Sequence, residues 1–193
     1  TIYKNWMKNI LLNVNNCYFV VYTDEKSKLI FDDMSYPKSN VLIVVKELNE
    51  LYNYRYRENW IENHEKNTDL NAKTSWELNM LWSEKISFVK NTKEANPFNT
   101  EWFGWCDIGY FRNGMEEIKD WPNHSKILDK TKLHYSNVCR DHKYIENLYK
   151  TINNKDNQGL PIVPIPTHIA TIAGGFFISH KGCINEWFLD YDR

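Results

Sequence analysis

The run Trp105-Cys106-Asp107-Ile108-Gly109 closes a short aromatic stretch with a carboxylate. An acid just past a buried strand is held rigidly and faces the crevice beyond the strand. That position suits a hard cation, which takes oxygen ligands and shares them with a diphosphate. Gly109 leaves room for a ligand or metal to approach the backbone. Arg112 follows and can pair with phosphate. The same spacing also reads as an ordinary turn, with Asp107 capping it and Arg112 paired to Asp107.

Two further groups could serve that acid. Asn79, Trp82 and Lys85 recur at a spacing of three within Trp76-Glu-Leu-Asn-Met-Leu-Trp-Ser-Glu-Lys85, so they share one flank of a helix. A polar residue and a cation there can reach a nucleotide sugar, or they form a solvated face with Trp82 in the core. Ala173-Gly174-Gly175-Phe176-Phe177 places paired glycines at the start of an apolar strand, where something can pack against bare backbone. His180 and Lys181 follow; His180 can bind metal or help Lys181 neutralise phosphate. The plainer reading is a tight turn followed by two surface side chains.

The elements that must position these groups follow from periodicity. Trp6, Met7, Ile10, Leu11 and Val14 give Tyr3 to Val14 the pattern of an amphipathic helix, which Asn15 and Asn16 can end. Cys17 to Tyr22 and Val41 to Val45 are continuous β-prone runs of the kind buried on both faces in parallel sheets. Thr23 and Asp24 follow the first of them at its carboxyl end. Leu48 to Lys66 reads as helical. Ser75 to Lys93 is the clearest helix, with Thr74 or Ser75 as its cap, and Leu78, Leu81, Trp82, Ile86 and Val89 as its apolar stripe. Asn96-Pro97 stops it, and Trp102 to Asp107 forms a strand.

From Asn113 to Asn137 the pattern is weak. His142 to Ile152 reads as a helix and Asn153 to Gly159 as a polar loop. Pro161, Pro164 and Pro166 make an extended stretch. Ile169 to His180 holds a strand, and Asn185 to Tyr191 starts a last helix. Strands alternating with helices predict an α/β fold with an open, mostly parallel sheet flanked by helices. Ligands bind such sheets beyond the carboxyl ends of the strands, where Thr23-Asp24 and Asp107-Ile108-Gly109 both fall.

The bulk properties fit one domain. The chain has 193 residues, 42% of them apolar and 15% aromatic, enough for a large core and too apolar for a disordered chain. A net charge of −1 disfavours nucleic acid as a partner. Cys17, Cys106, Cys139 and Cys183 form no metal-ligand spacing, and free buried thiols are expected. No stretch reaches the roughly 18 apolar residues needed to span a bilayer. The chain starts at Thr1, so it reads as a fragment. Its location is open between the cytoplasm and, if an anchor lies upstream, the secretory-pathway lumen.

Taken together, Trp82-Ser-Glu-Lys85, Asn96-Pro-Phe-Asn99, Trp105-Cys-Asp-Ile-Gly-Tyr-Phe-Arg112 and Ala173-Gly-Gly-Phe-Phe177 resemble the HtrL/YibB family. The resemblance runs from about Trp6 to Tyr191, and its block from Glu77 to Arg112 is the most specific part. That family looks like a divergent branch of the GT-A (nucleotide-diphospho-sugar transferase) glycosyltransferases.

The resemblance implies transfer of a sugar from a nucleotide-sugar donor to a glycan or protein acceptor. Asp107 takes the place of an acid in the DxD metal motif and would hold Mn²⁺ or Mg²⁺, while Gly109 stands where that motif has its second acid. Asp24, Asn79, Lys85, Gly109, Arg112, Gly174 and Gly175 would line the donor. His180, Glu186 and Asp190 are the candidates to deprotonate the acceptor if the reaction inverts. GT-A folds also open with a strand that helps bind the base, so the expected domain, 1–193, lacks that first strand and its carboxyl-terminal end.

The alternative is a catalytically inactive carbohydrate-binding or scaffold protein on a glycosyltransferase-like fold, which the absent second acid favours. A Cys-His hydrolase using Cys139 and His142 rests on their spacing alone.

Overall fold

The computed structural model describes residues 2–34, 38–113, 121–165 and 170–193. Helix α1 (Ile2–Asn13) buries Met7, Ile10 and Leu11, and Val14 beyond its end is buried as well. This stripe packs against Phe31, Met34, Val41 and Phe111 in one core cluster. Strands β1 (Phe19–Thr23) and β2 (Val41–Val45) pair in parallel, from Phe19 opposite Val41 to Thr23 opposite Val45. Between them runs α2 (Glu25–Asp32). Its N-cap is Asp24, whose carboxylate accepts the Ser27 N–H at 2.7 Å and the Ser27 hydroxyl at 2.9 Å.

The segment expected to be helical from Leu48 to Lys66 is split. Two 3₁₀ turns, Leu48–Glu50 and Tyr52–Tyr56, precede α3 (Arg57–Lys66), and α4 (Thr68–Asn71) follows. Helix α5 (Trp76–Ala95) is capped by Ser75 and ends at Asn96, which adopts the left-handed conformation at φ 38°. Its buried face differs from the expected stripe. Met80, Glu84, Ile86, Ser87, Phe88 and Val89 point inward, whereas Leu78 and Trp82 are exposed. Glu84 sets this rotation. Its carboxylate, 1% exposed, accepts the N–H groups of Tyr52 and Asn53, each at 2.9 Å, and so draws the 3₁₀ turn onto the helix. A hydrophobicity pattern reads a glutamate as outward-facing, and here it is the anchor.

Strands β3 (Trp102–Cys106), β4 (Leu133–Asn137) and β5 (Ile172–His180) form a second sheet in the order β3-β5-β4. Both pairings are antiparallel. Helix α6 (His142–Asn153) lies between β4 and β5 in sequence, and α7 (Lys181–Tyr191) packs on α5.

The architecture is α/β, but the sheet differs from the expected mostly parallel one. Among the described residues parallel pairing is confined to β1 and β2. Apolar runs report burial and carry no strand direction, so they could not distinguish β5 running antiparallel to β3. β4 falls where the pattern was weak, and a register shift between Tyr135 and Ser136 breaks its alternation. The glycine pair lies inside β5 and not ahead of it. The last helix starts at Lys181, four residues before the expected Asn185, because His180 caps it by accepting the Gly182 N–H. All four cysteines are free and half-buried. Pro166 and Ile169, expected in the extended stretch and at the start of the last strand, lie outside the described residues.

Candidate functional site

Asp107 stands one residue past β3, and its backbone N–H donates to Gly175 O at 2.8 Å. Pairing between β3 and β5 therefore continues to the acid and fixes its main chain. The side chain is fixed from two directions. Trp105, two residues back and so on the same strand face, donates its indole N–H to Asp107 Oδ1. Lys85 reaches from the middle of α5 to place Nζ 2.8 Å from the same oxygen. The ammonium also donates to Gly174 O at 2.9 Å and lies 5.6 Å from the centre of the Trp105 ring. Lysine is largely enclosed, with 17% of its side chain exposed, while Asp107 keeps 44%. The open side of the pair is therefore the carboxylate, on its Oδ2.

Gly175 has a specific reason to lack a side chain. A Cβ there would lie 3.0 Å from the Tyr110 ring and 3.3 Å from Asp107 Oδ2. At Gly174, whose Cβ would point to the other face of the strand, a Cβ would meet nothing within 4 Å. Tyr110 closes the turn, its N–H donating to Asp107 O at 2.8 Å, and its hydroxyl lies 3.0 Å from Ser136 Oγ on β4. Trp121 and Phe176 pack around Tyr110. The cluster thus joins α5 to all three strands of the second sheet.

Several expected members stand elsewhere. Asp24 is spent as the α2 cap, and its Ser27 hydrogen bonds hold its carboxyl below the usual range. Asn79 is bonded to His64 Nδ1 at 3.1 Å and Thr74 Oγ1 at 3.2 Å, so it ties α5 to its neighbours and not to the acid. Gly109 is approached by the Trp6 ring, 3.0 Å from where its Cβ would sit, and by no strand or open crevice. Arg112 lies over that same ring, 4.8 Å from its centre, and bonds Gly109 O.

His180 is the far end of β5, opposite Trp102, whereas the glycine pair is near Asp107. Glu186 and Asp190 are exposed on α7, and Asp190 pairs with Arg193 at 3.3 Å. None of these three reaches the acid. Cys139 accepts no bond from His142; its N–H donates to Asn137 and its thiol faces Asp141 O at 4.0 Å.

The structure thus brings Lys85, Asp107, Gly174 and Gly175 together. It adds Trp105, Tyr110 and Ser136, which the sequence reading did not select. Trp105 was legible from its spacing to Asp107; the Tyr110–Ser136 contact spans two strands and leaves no local signal.

Cys106 sits beside the acid. Burial pushes its thiol far up, and the Asp107 charge raises it further. Among the described residues no group of three or more His, Cys, Asp or Glu converges on a point. Asp107 would give a divalent cation one free oxygen, and its other oxygen already serves Lys85 and Trp105. A divalent cation there would take Asp107 Oδ2 and draw its remaining oxygen ligands from a bound diphosphate and water.

No protein-family model matches the chain, and no curated protein and no solved structure matches it.

Proposed function

We propose that the chain binds a nucleotide-sugar donor at the Asp107–Lys85 pair and transfers the sugar to a glycan or protein acceptor. The observation that carries this reading is the pair itself: an enclosed ammonium held against a carboxylate whose second oxygen stands beside the bare backbone of Gly175. Glycosyl transfer needs its leaving diphosphate neutralised. Lys85 is the cation in place to do so by exchanging its carboxylate partner for phosphate. Asp107 Oδ2 is then free to accept a sugar hydroxyl, and among the described residues of this cluster it is also the carboxylate able to take a proton from an acceptor. The likeness to the HtrL/YibB family, and with it a GT-A-like arrangement of the sheet, belongs to the same proposal.

A second reading, a binding or scaffold protein without turnover, is favoured by one specific feature. Asp107 is already paired with Lys85 and Trp105, and among the described residues no group of three or more His, Cys, Asp or Glu forms around it.

A thermal-shift screen of nucleotide sugars with and without Mn²⁺, followed by donor hydrolysis, separates the two. A bound ligand raises the melting temperature by mass action. Binding with hydrolysis supports the transferase, binding without it supports the scaffold, and a shift requiring Mn²⁺ would return the cation to the site.

A further inference from the structure

Of the eight tryptophans, Trp82 is the exposed one, with 47% of its surface open; the other seven are half-buried. Its place on α5 explains the difference. Leu78, Trp82, Lys85 and Val89 recur at spacings of four and three, so they form one stripe along the helix. At one end of the stripe Val89 is buried in a cluster with Phe103 of β3. Phe88 then stacks on Trp105 at 5.7 Å, and Lys85 reaches Asp107, one residue past the strand, at 2.8 Å. As α5 is followed backwards, β3 is followed forwards, so the two run antiparallel.

The helix outlasts the strand. Trp82 lies three residues beyond Lys85, about 4.5 Å further along the axis, on the flank that packs against the sheet at Val89. It therefore overhangs the crevice past the carboxyl end of β3. The chain after Asp107 turns away from it, because Ile108, Tyr110 and Phe111 join the core under α1. Among the described residues Trp82 joins no core cluster. The stripe thus passes from a buried valine, through a largely enclosed lysine, to an open indole.

We propose that Trp82 is the platform on which a pyranose ring of the bound carbohydrate stacks, beside the Asp107–Lys85 pair. The inference rests on that pair being the ligand site. A pyranose carries C–H groups on its ring faces and hydroxyls around its edge. The indole covers an apolar face and removes both surfaces from water. Asp107 Oδ2, the open oxygen of the pair, accepts an edge hydroxyl. A nucleobase fits less well, because its edge needs amide or backbone partners. Asn79, the amide three residues further along the same flank, is already held by His64 and Thr74. A protein partner fits less well too. The open part of the stripe is Leu78 and Trp82 before it meets the charged pair, whereas a stable interface covers about 800 Å² on each partner. The sugar comes from one of two sources, the donor or the end of a glycan acceptor, and both present the same ring.

The test is calorimetric titration of the parent chain, Trp82→Ala and Trp82→Phe. The probes are a panel of UDP- and GDP-sugars, UDP and GDP alone, and free oligosaccharides of the same sugars. Trp82→Ala should weaken binding of sugar-bearing probes by about tenfold and leave UDP and GDP within about threefold. Trp82→Phe should recover most of the loss. A loss confined to nucleotide sugars assigns the donor's sugar to the ring, and one confined to oligosaccharides assigns the acceptor's. Both variants should melt within about 2 °C of the parent, since the ring is half exposed. In the parent, a saturating sugar probe should also slow oxidation of Trp82 by N-bromosuccinimide, read by mass spectrometry, so the test survives a variant that fails to fold. Unchanged affinities in Trp82→Ala and unslowed oxidation would overturn the proposal. So would equal losses for UDP and UDP-sugars, which would place the base on the ring. Trp82-dependent binding of oligosaccharides with no binding of any nucleotide sugar would keep the platform and remove the donor from the site. A parent that binds none of the probes would overturn both readings.

Discussion

Replacing Lys85 by methionine and Asp107 by asparagine, singly and together, measures whether the two act as a unit. Lys85→Met keeps most of the aliphatic stem and removes two donated bonds, to Asp107 Oδ1 at 2.8 Å and to Gly174 O at 2.9 Å. A bond involving a charged group contributes about 1.5–3 kcal/mol when enclosed, whereas an exposed ion pair contributes about 0.2–1 kcal/mol. This pair lies between, since the lysine is mostly enclosed and the carboxylate is 44% exposed. We expect Lys85→Met to lower unfolding stability by about 1–2 kcal/mol, because Asp107 then keeps only the Trp105 indole. Asp107→Asn retains an oxygen for Trp105 and should lower it by about 1 kcal/mol. The double variant should be more stable than the sum predicts by about 1 kcal/mol. The assay is urea denaturation, with the slope checked for constancy so that each midpoint shift reports stability. Losses that add within about 0.3 kcal/mol would show that Lys85 and Asp107 do not interact.

Gly175→Val should destabilise by about 1–3 kcal/mol and block ligand binding, because its Cβ meets Tyr110 and Asp107 Oδ2; Gly174→Ala, with nothing near, should melt within about 0.5 kcal/mol of the parent. Equal melting of the two would refute the crowding argument. Glu84→Gln should cost about 1–3 kcal/mol, since an amide cannot accept from both the Tyr52 and Asn53 N–H groups. Burial raises the Glu84 carboxyl above its ordinary 4.5. Its stabilising effect is therefore complete below that value and fades as pH rises through the folded-state value. The gap between parent and Glu84→Gln should accordingly narrow from about pH 4 towards neutrality, and a gap that widens would contradict the assignment. Burial pushes the Cys17 thiol up to about 12 and Cys106 up as well. Maleimide labelling near neutral pH, read by mass spectrometry, should leave both unmodified; rapid modification of either would refute this.

Local chemistry made much of the scaffold legible. The α1 stripe, the apolar runs of β1 and β2, the Ser75 cap and the Asn96 stop all lie where their residue types require. The acid at the end of β3 and the paired glycines were legible for the same reason. Long-range choices were not. The phase of α5 is set by Glu84, whose partners lie more than thirty residues away at Tyr52 and Asn53. The direction of β5 depends on pairing partners that no periodicity encodes. Asp24, Gly109, Arg112 and His180 have the residue types of a ligand site, but a helix cap, a tryptophan ring and a strand end already use them. Lys85 resembles them on the sequence, and only the packing of α5 against β3 separates it.

The central claim is that the Asp107–Lys85 pair receives a nucleotide-sugar donor. Its most direct test is calorimetric titration of nucleotide sugars and nucleoside diphosphates into the parent chain and Lys85→Met. The account predicts saturable binding to the parent that weakens by about 1.5–3 kcal/mol in the variant, as loss of a charge-assisted phosphate bond requires. Equal affinity in parent and variant, or no binding by the parent across the panel, would contradict it.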